Sequence, residues 1–302
     1  MMSSEIFEVR PSAVLKHDDC PSSYDRQYLQ GVRTEATSIN LPFGTAVHDA
    51  STGFLEAEHF GRKFDPETVF MESFESKLEA SIIEVSSMRS IKDYVEIGRR
   101  LVGDFPAAWE NTGLTILLDK EGNPVIERRL RAQVAPGVIL TGTPDIAALD
   151  DEGDVAVVDI KTPAQVSDPL FLWASDQLTS YQILLEHNAD LIGLDGVQKL
   201  GFFEGVKRKV PVTGKGRGPT WEPMTLGLSR NDAAKHELVE KILEIKRNRD
   251  RGYFPRRSRM AYNTPCTMCD FRHWCLTGDT DGLVFPEQRR VEAERIKLPA
   301  SF

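Results

Sequence analysis

The stretch VVDIKT, from Val157 to Thr162, places an aspartate and a lysine inside a run that otherwise has the composition of a buried β-strand. Side chains on a strand alternate between its two faces, so Asp159 and Lys161 point the same way while Val158 and Ile160 point the other way. An exposed ion pair on an edge strand is the ordinary explanation, because such pairs are common and weak. The rest of the sequence decides between that explanation and a functional one.

Length and composition indicate a globular protein. The chain has 302 residues, 40% of them hydrophobic and 27% charged, which is enough for a substantial core. The formal net charge of −9 argues against a nonspecific nucleic-acid coat, but it is compatible with an enzyme whose acidic ligands coexist with local basic patches. No apolar run approaches the roughly 20 residues of a membrane helix, and the first residues lack the order of a secretory signal. We therefore expect a cytoplasmic protein without a membrane segment.

The order of patterns along the chain predicts an α/β fold. The first third is helical, with amphipathic stretches at Pro66 to Ser87 and Ile91 to Glu110. From Thr115 onward, short β-rich runs separated by EGNP, APG and DDEGD predict an antiparallel meander. A helix opened by Asp168 and Pro169 follows, then a strand in VQKLGFFEGVKRKVPV, then a charged helix from Ser229 to about Arg251. These segments predict a central mixed sheet flanked by helices.

A second aspartate lies just upstream, in LTGTPDIAAL. Gly142 and Pro144 favour a turn that presents Asp145 at the entry of a strand. A hairpin between PDIAAL and VAVVDIK would bring Asp145 and Asp159 to one end of the sheet. Two close carboxylates repel each other, and a hard divalent cation best offsets that repulsion.

The pattern Pro144-Asp145, a spacer, then Asp159-Ile160-Lys161 resembles the active-site signature of the PD-(D/E)XK nuclease superfamily. The RecB-like branch of that superfamily carries G-x-x-x-H on a helix before the sheet, and Gly44 and His48 match it. The same branch carries Q-x-x-x-Y on the helix after the catalytic strand, and Gln177 and Tyr181 match that motif on one helix face.

Four cysteines extend the resemblance over nearly the whole chain. Cys266, Cys269 and Cys275 form C-x2-C-x5-C, and Cys20 lies far upstream. Disulfides are not expected in a reducing compartment, whereas four thiolates suit a 4Fe-4S cluster or a structural zinc. Zinc in a Cys/His arrangement remains open because His17 and His273 are nearby in sequence. The spacing is similar to the iron–sulfur staple of RecB-like nucleases, which include the AddB nuclease domain and the fourth CRISPR-associated (Cas) protein. Iron–sulfur DNA glycosylases share the trio, but their first cysteine lies close to it.

The resemblance assigns roles to these residues. It implies that Mg²⁺ or Mn²⁺ is bound by His48, Asp145, Asp159 and the backbone carbonyl of Ile160. Lys161 would orient or help deprotonate the attacking water, and Gln177 and Tyr181 would contact substrate or support the metal site. Glu127 is a further candidate carboxylate, for which the sequence favours a solvated strand position.

The resemblance also implies a fold and a function. We expect a restriction-endonuclease-like mixed sheet with a helical N-terminal region, in one domain over residues 1–277 with a helical insertion at about 62–112 and a polar tail at 278–302. The 4Fe-4S cluster would join the N- and C-terminal segments. The activity would be a metal-dependent DNA exonuclease acting on single-stranded ends, in recombination or repair, phage DNA processing or CRISPR adaptation. The alternative is an iron–sulfur or zinc DNA-binding and assembly protein without nuclease activity.

Basic segments and partners complete these expectations. GVKRKVPVTGKGRG and PRRSR offer positive charge to a DNA backbone. Phe202, Phe203 and Trp221 are candidates for base stacking, although burial is the favoured interpretation. The resemblance is compatible with recombination or CRISPR-adaptation proteins as partners and with a homo-oligomer. The phosphate-binding pattern G-x-x-x-x-G-K-[ST] is absent from the sequence, so we expect no use of ATP by this chain.

Overall fold

A computed structural model describes residues 6–85, 89–211, 213, 216–257 and 264–287. The chain divides into two compact units, one of Met1–Pro11 with Ser38–Val239 and one of Ser12–Thr37 with Glu240–Phe302. The strands are β1 (Phe7–Val9), β2 (Arg33–Thr34), β3 (Ala36–Ser38), β4 (Ile82–Glu84), β5 (Thr115–Ile116), β6 (Leu130–Ala135), β7 (Val138–Gly142), β8 (Ile146–Leu149), β9 (Val155–Lys161), β10 (Lys199–Val206), β11 (Thr220–Trp221), β12 (Thr225–Leu228) and β13 (Leu283–Val284).

Ten α-helices accompany these strands within the described ranges. They are α1 (Pro11–Asp19), α2 (Pro21–Tyr24), α3 (Asn40–His59), α4 (Pro66–Glu79), α5 (Ile91–Glu110), α6 (Pro169–Trp173), α7 (Asp176–His187), α8 (Ala189–Ile192), α9 (Asp232–Arg251) and α10 (Arg272–Thr277). A π-helical turn covers Asp25–Leu29, and a 3-10 turn covers Pro265–Met268. In the part of the chain with described structure, no helix is both long and apolar enough to cross a membrane.

The main sheet of the first unit is mixed. Its strand order is β11-β10-β9-β8-β5, with β12 also paired to β10. Strands β8 and β9 form an antiparallel hairpin, whereas β9 and β10 run parallel, joined by a crossover that contains α6, α7 and α8. The predicted mixed α/β fold is therefore confirmed. The predicted continuous meander is wrong, because β6 and β7 pair in a separate sheet with β1.

Aromatic packing holds α3, α4 and α5 against each other and against the main sheet. Phe43 on α3 meets the rings of Phe70 and Phe74 on α4, with ring centroids about 6 Å apart. Gly98 on α5 lets that helix pack closely against Phe70, because a Cβ there would lie 1.9 Å from the Phe70 ring. Phe105 on the same helix packs on Phe203 of β10. This packing fixes α3, which carries His48, relative to the sheet.

Several predicted boundaries shift for local reasons. The helix from Pro66 ends at Glu79, and the β-branched pair at 82–83 lies in β4, so the predicted extension to Ser87 is wrong over 82–84, with 86–88 outside the described residues. The helix expected after Asp168 is two helices, because the Ser175 side chain accepts the Leu178 amide and starts α7 anew. Strand β10 ends at Val206, so the predicted extension is wrong over 207–211, and Val212 lies outside the described residues. The domain spanning 1–277 stays a prediction, and residues 288–302 of the predicted tail lie outside the described residues.

Candidate active site

The β8–β9 hairpin brings the two predicted aspartates together. Ile146 pairs with Val158, which places Asp145, just before β8, beside Asp159 on β9. The Asp145 Oδ2 atom accepts the backbone amide of Ile160 at 2.8 Å. The strand pairing predicted from the sequence is therefore present, and it positions the first carboxylate by a main-chain hydrogen bond.

His48 reaches this pair from α3. Its Nε2 atom lies 3.2 Å from Asp145 Oδ2 and its Nδ1 atom 3.3 Å from Glu127 Oε1. Gly44, one turn earlier, lets α3 approach the end of β9, since a Cβ there would lie 3.3 Å from Thr162 Oγ1. The spacing G-x-x-x-H thus combines a close helix–strand contact with a histidine on the same face.

A second group of side chains forms a hydrogen-bonded chain on the other side of Asp159. Lys161 Nζ lies 2.6 Å from Asp159 Oδ2 and donates to Gln177 Oε1 at 3.0 Å. Gln177 Nε2 donates to Asp159 Oδ1 and to the Tyr181 hydroxyl, each at 2.9 Å. Gln177 and Tyr181 lie one turn apart on α7, so Q-x-x-x-Y places both against β9.

Burial makes the charge of Asp159 costly. Its side chain is only 1% exposed, and burial, followed by the charge of Asp145, raises its pKa to about 7. Lys161 acts in the opposite direction but does not cancel the effect. Burial also raises the pKa of Tyr181 well above its usual range, helped by the charges of Asp159 and Asp145, so it stays a neutral phenol. Burial and the charge of Asp145 therefore both oppose ionisation of Asp159.

The pKa values of His48 and Glu127 are both shifted from their ordinary values. Burial is the largest influence on His48 and lowers its pKa, but the hydrogen bond and charge of Asp145, with Glu127 and Asp159, raise it above the ordinary value in sum. Burial raises the pKa of Glu127, the charge of His48 lowers it, and the charge of Asp145 raises it further. The His48 shift follows from the acids around its ring, whereas the Glu127 shift follows mainly from burial.

Glu127 corrects the interpretation made from sequence. It does not lie in a strand, and its backbone adopts a φ of 45°, in the left-handed region. Its amide donates to the Asp145 carbonyl at 2.9 Å, and its half-exposed carboxylate faces His48. Ile126 forms an isolated antiparallel β-bridge with Ile146, which follows Asp145 in the chain. This bridge brings Glu127 next to the candidate active site. The sequence offered Glu127 as a further candidate carboxylate, and this non-local pairing is what brings it beside His48.

The donor set fits a hard divalent cation. Carboxylates and one imidazole lie beside one another here, and such cations prefer oxygen ligands. The residues are His48, Glu127, Asp145 and Asp159. No three of their ligand atoms lie within 4.8 Å of one another, so binding of one cation would require these side chains to move closer together. Ile160 lies between Asp159 and Lys161 with its amide bonded to Asp145, and its carbonyl as a ligand stays a prediction.

The four cysteines lie together in the second unit. All four line one cavity of about 390 Å³, and none forms a disulfide. Cys20 precedes α2, Cys266 lies in the 3-10 turn, Cys269 follows it and Cys275 lies on α10. The same wall carries five cationic side chains: Lys16, Arg26, Arg256, Arg257 and Arg272. The fold thus gathers residues from both ends of the chain, the arrangement that the resemblance implied, and the cluster itself stays a prediction.

The proposed zinc ligands among the histidines do not join this cavity. His17 is buried, contacts Asn248 at 3.0 Å through Nε2 and packs edge-on against Tyr24. His273 is absent from the cavity lining and lies 3.4 Å from Arg272 Nη2 through its Nε2 atom. A mixed Cys/His zinc site is therefore not supported by the positions of either side chain.

The predicted basic segments are only partly available. Three of the five cations in GVKRKVPVTGKGRG already pair with acids: Arg208 and Arg217 with Glu222, and Lys209 with Asp93. Lys207 is buried, which lowers its pKa to about 8, and Lys215 lies outside the described residues. Of PRRSR, the last two residues lie outside the described residues. Phe203 and Trp221 stack in the core, as the burial interpretation predicted.

Comparisons with known proteins add a family relationship. A sequence profile described as "PD-(D/E)XK nuclease superfamily" matches residues 9–276, a range that includes the candidate active site and all four cysteines. No curated protein matches the sequence significantly. A solved structure titled "Crystal structure of SSO0001" is 12% identical to the chain, with a match that covers 89% of this chain and 96% of that one at a TM-score of 0.31. The profile match alone carries the family relationship.

Proposed function

Because the chain belongs to the PD-(D/E)XK nuclease superfamily, we propose that it is a divalent-metal-dependent deoxyribonuclease that hydrolyses phosphodiester bonds from single-stranded ends. The observation that carries the proposal is the pair of neighbouring aspartates, one of them fully buried with a pKa of about 7. A structural ion pair between Asp159 and Lys161 does not need Asp145 as a second carboxylate, whereas a site that holds Mg²⁺ or Mn²⁺ needs it.

In this proposal the cation is held by His48, Asp145, Asp159 and the Ile160 carbonyl, with Glu127 as a further acid facing His48. When bound, the cation supplies Lewis-acid stabilisation of charge on the phosphate and makes water a better nucleophile. The hydrogen bond from the Ile160 amide fixes Asp145, so the donor set is preorganised by the backbone.

The other residues act on water and substrate. Lys161 is 38% exposed and next to Asp159, so its ammonium is placed to hold the attacking water and to stabilise negative charge on the phosphate. Gln177 binds Asp159 and Lys161 at the same time, which fixes their relative orientation. Tyr181, a neutral phenol, orients Gln177 by accepting its second amide hydrogen.

We further propose that the four cysteines bind a 4Fe-4S cluster, as in the RecB-like branch. The five cations around the cavity would offset the negative charge of four thiolates. Four thiolates suit either a 4Fe-4S cluster or one structural zinc, and the resemblance to the RecB-like branch favours the cluster.

The same resemblance supports a role in recombination or repair, phage DNA processing or CRISPR adaptation, with DNA as the substrate. The experiment that tests the central proposal uses end-labelled single-stranded DNA with Mg²⁺, with Mn²⁺ and with EDTA. We expect EDTA-sensitive digestion, with the fate of each label reporting polarity. Asp145→Asn should abolish digestion, because it removes a charge from the donor set.

The matched control is Glu152→Gln, in the β8–β9 turn. Glu152 is also an acid of the same hairpin, but it pairs with Lys199 at 3.0 Å, away from the aspartates. This variant should digest DNA at the wild-type rate. Digestion by Asp145→Asn at the wild-type rate would refute the site. A brown protein that binds DNA but never digests it would instead favour the assembly role.

A further inference from the structure

Lys207, the first residue after β10, is a buried lysine without an acidic partner. The residue is 8% exposed, and its ammonium forms no hydrogen bond or ion pair with any residue in the described ranges. Burial, and then the charge of Arg89, lower its pKa to about 8. Since Arg89 is itself a cation, the two charges repel each other. A buried charge without a partner is costly, so this position calls for an anion from outside the chain.

The charged end of this side chain is still open to a ligand. The enclosed side-chain atoms that lack a hydrogen bond, among the residues with described structure, are Ser51 Oγ, Asp159 Oδ2 and Glu204 Oε1. Lys207 Nζ also lacks a hydrogen bond but is not one of these enclosed atoms, so part of its surface is accessible. The aliphatic stem therefore accounts for most of the burial, as it does in many long cationic side chains.

Aromatic rings offset only part of the two charges. The Lys207 ammonium lies 5.8 Å from the centroid of the Phe43 ring, close to the outer limit of about 6 Å for a cation–π contact. Such a contact supplies no hydrogen-bond acceptor, so the three ammonium donors keep their capacity for one. The Arg89 guanidinium similarly lies 6.0 Å from the Tyr94 ring and pairs with no acid in the described part of the chain.

The acid on the first turn of α5 is already engaged. The Asp93 carboxylate accepts the Ser90 amide at 2.8 Å, which caps α5, and it pairs with Lys209 at 3.3 Å. Asp93 thus balances the charge of Lys209. The charges of Lys207 and Arg89 stay uncompensated.

Lys207 lies at the sheet edge that carries the candidate active site. Strands β9 and β10 run parallel, with Glu204 opposite Lys161, so both strands end at the same edge. The Lys207 amide donates to the Pro163 carbonyl at 3.0 Å, two residues after Lys161. The segment that follows β10 is therefore held against the segment that follows the catalytic strand.

Helix α3 sets the distance from Lys207 to the candidate metal ligands. Phe43, the ring near the ammonium, precedes Gly44, which packs on Thr162 at the end of β9. From Phe43 to His48 the helix rises about 7.5 Å, at 1.5 Å per residue. A nucleic-acid strand advances about 3.4 Å per nucleotide along a duplex axis, so this distance corresponds to about two nucleotides.

A phosphate of the bound strand is the anion that this position favours. A strand whose phosphate lies at the metal site carries further phosphates at about this spacing. Lysine and arginine are the side chains that commonly bind such phosphates. A free anion would need to bind on its own affinity, whereas a phosphate of a bound strand is held nearby by the rest of the strand.

We propose that Lys207 and Arg89 form a phosphate subsite, which binds an internal backbone phosphate of the substrate strand about two nucleotides from the scissile bond. The proposal rests on the proposed function, since the strand is the one held at the metal site. The subsite adds affinity and fixes the path of the strand, and it takes no part in bond cleavage.

Fluorescence anisotropy in EDTA measures binding of a short single-stranded oligonucleotide without cleavage. The variant Lys207→Met keeps an unbranched side chain and removes the charge. We expect it to weaken binding about tenfold, the value of one charge-assisted hydrogen bond, and to reduce the slope of log affinity against log salt by about 0.7. The matched control, Lys209→Met, removes the same charge from a lysine that already pairs with Asp93, so binding should weaken by less than about threefold.

Oligonucleotides with one neutral methylphosphonate linkage, placed at each position in turn, locate the phosphate. With wild type, one internal position should lose about tenfold in affinity. With Lys207→Met, the same position should cost little, because the contact is already absent and the two losses are not additive. Arg89→Gln should show the same coupling at the same linkage, and it carries the test if Lys207→Met does not fold.

Urea unfolding separates a binding role from a structural one. Lys207→Met removes a buried charge without an acidic partner, so its unfolding midpoint should equal or exceed that of wild type while DNA binding weakens. A variant that loses stability and keeps wild-type DNA affinity would overturn the subsite.

The remaining outcomes distinguish the subsite from the nuclease proposal. Losses that add independently at every linkage, or a loss seen only when a terminal phosphate is removed, overturn the subsite, and EDTA-sensitive digestion would then leave the nuclease in place. Coupling of Lys207→Met to one internal linkage, without any metal-dependent cleavage, supports the subsite and overturns the nuclease.

Discussion

Asp159→Asn should stabilise the metal-free protein while it abolishes cleavage. Asp159 is fully buried, and its pKa of about 7 lies well above the ordinary 3.8. A carboxyl group whose pKa is raised by folding contributes stability below pH 3.8, and that contribution is lost as the pH rises through about 7. At pH 8 wild type therefore carries an unfavourable charge that asparagine does not have.

The size of the effect follows from the pKa and the contacts. At about 1.4 kcal/mol per pH unit, the interval from 3.8 to about 7 corresponds to about 4 kcal/mol at pH 8. Asparagine keeps an oxygen for the Gln177 amide, but its own amide faces the Lys161 ammonium at a cost of about 1–2 kcal/mol. The net gain in free energy of unfolding should be about 2–3 kcal/mol at pH 8, falling to near zero at pH 5 because Asp159 is then mostly protonated.

The assay is urea unfolding in EDTA at pH 5 and pH 8, on wild-type and variant proteins with equal visible absorbance. Asp119→Asn is the matched control, because Asp119 is also 1% exposed while amide hydrogen bonds led by Asn123 hold its pKa at about 2. That variant should lose stability at both pH values. If Asp159→Asn is less stable than wild type at pH 8, or gains equally at both pH values, Asp159 is a structural residue and the metal-site argument fails.

Three further predictions concern catalysis, metal binding and the cysteines. Lys161→Met should lower kcat at least about 100-fold and leave Mg²⁺ affinity within a few-fold by titration calorimetry; wild-type kcat would exclude a role on water. Mg²⁺ affinity should rise with pH through about 7, because the cation displaces the Asp159 proton; an affinity constant from pH 6 to 8 would contradict this. Cys269→Ser should give a colourless, less stable protein in anaerobic absorption spectra, whereas an unchanged spectrum would remove Cys269 from the cluster.

Local patterns in the sequence determined much of the candidate site. Alternation along VVDIKT put Asp159 and Lys161 on one face of β9, and their 2.6 Å contact agrees with it. Helical spacing put Gln177 and Tyr181 on one face of α7. Such inferences work because strand and helix periods are properties of the backbone, so they hold before any tertiary contact forms.

The sequence analysis did not predict the non-local contacts. The predicted meander was wrong because β7 pairs with β1, more than 100 residues upstream, and does not continue the sheet toward β8. The helix expected to reach Ser87 ended early because intrinsic propensity is weak and packing overrides it. These outcomes depend on which distant segments meet, which local periodicity does not encode.

The sequence by itself identified the family and singled out the two aspartates, the lysine and the four cysteines as candidates, because each rests on residue types at fixed spacing. The tertiary structure alone decided that Glu127 faces His48 and that Asp159 is buried deeply enough to raise its pKa to about 7. The reason is physical: burial and electrostatic fields are sums over neighbours from distant parts of the chain, so they exist only once the chain has folded.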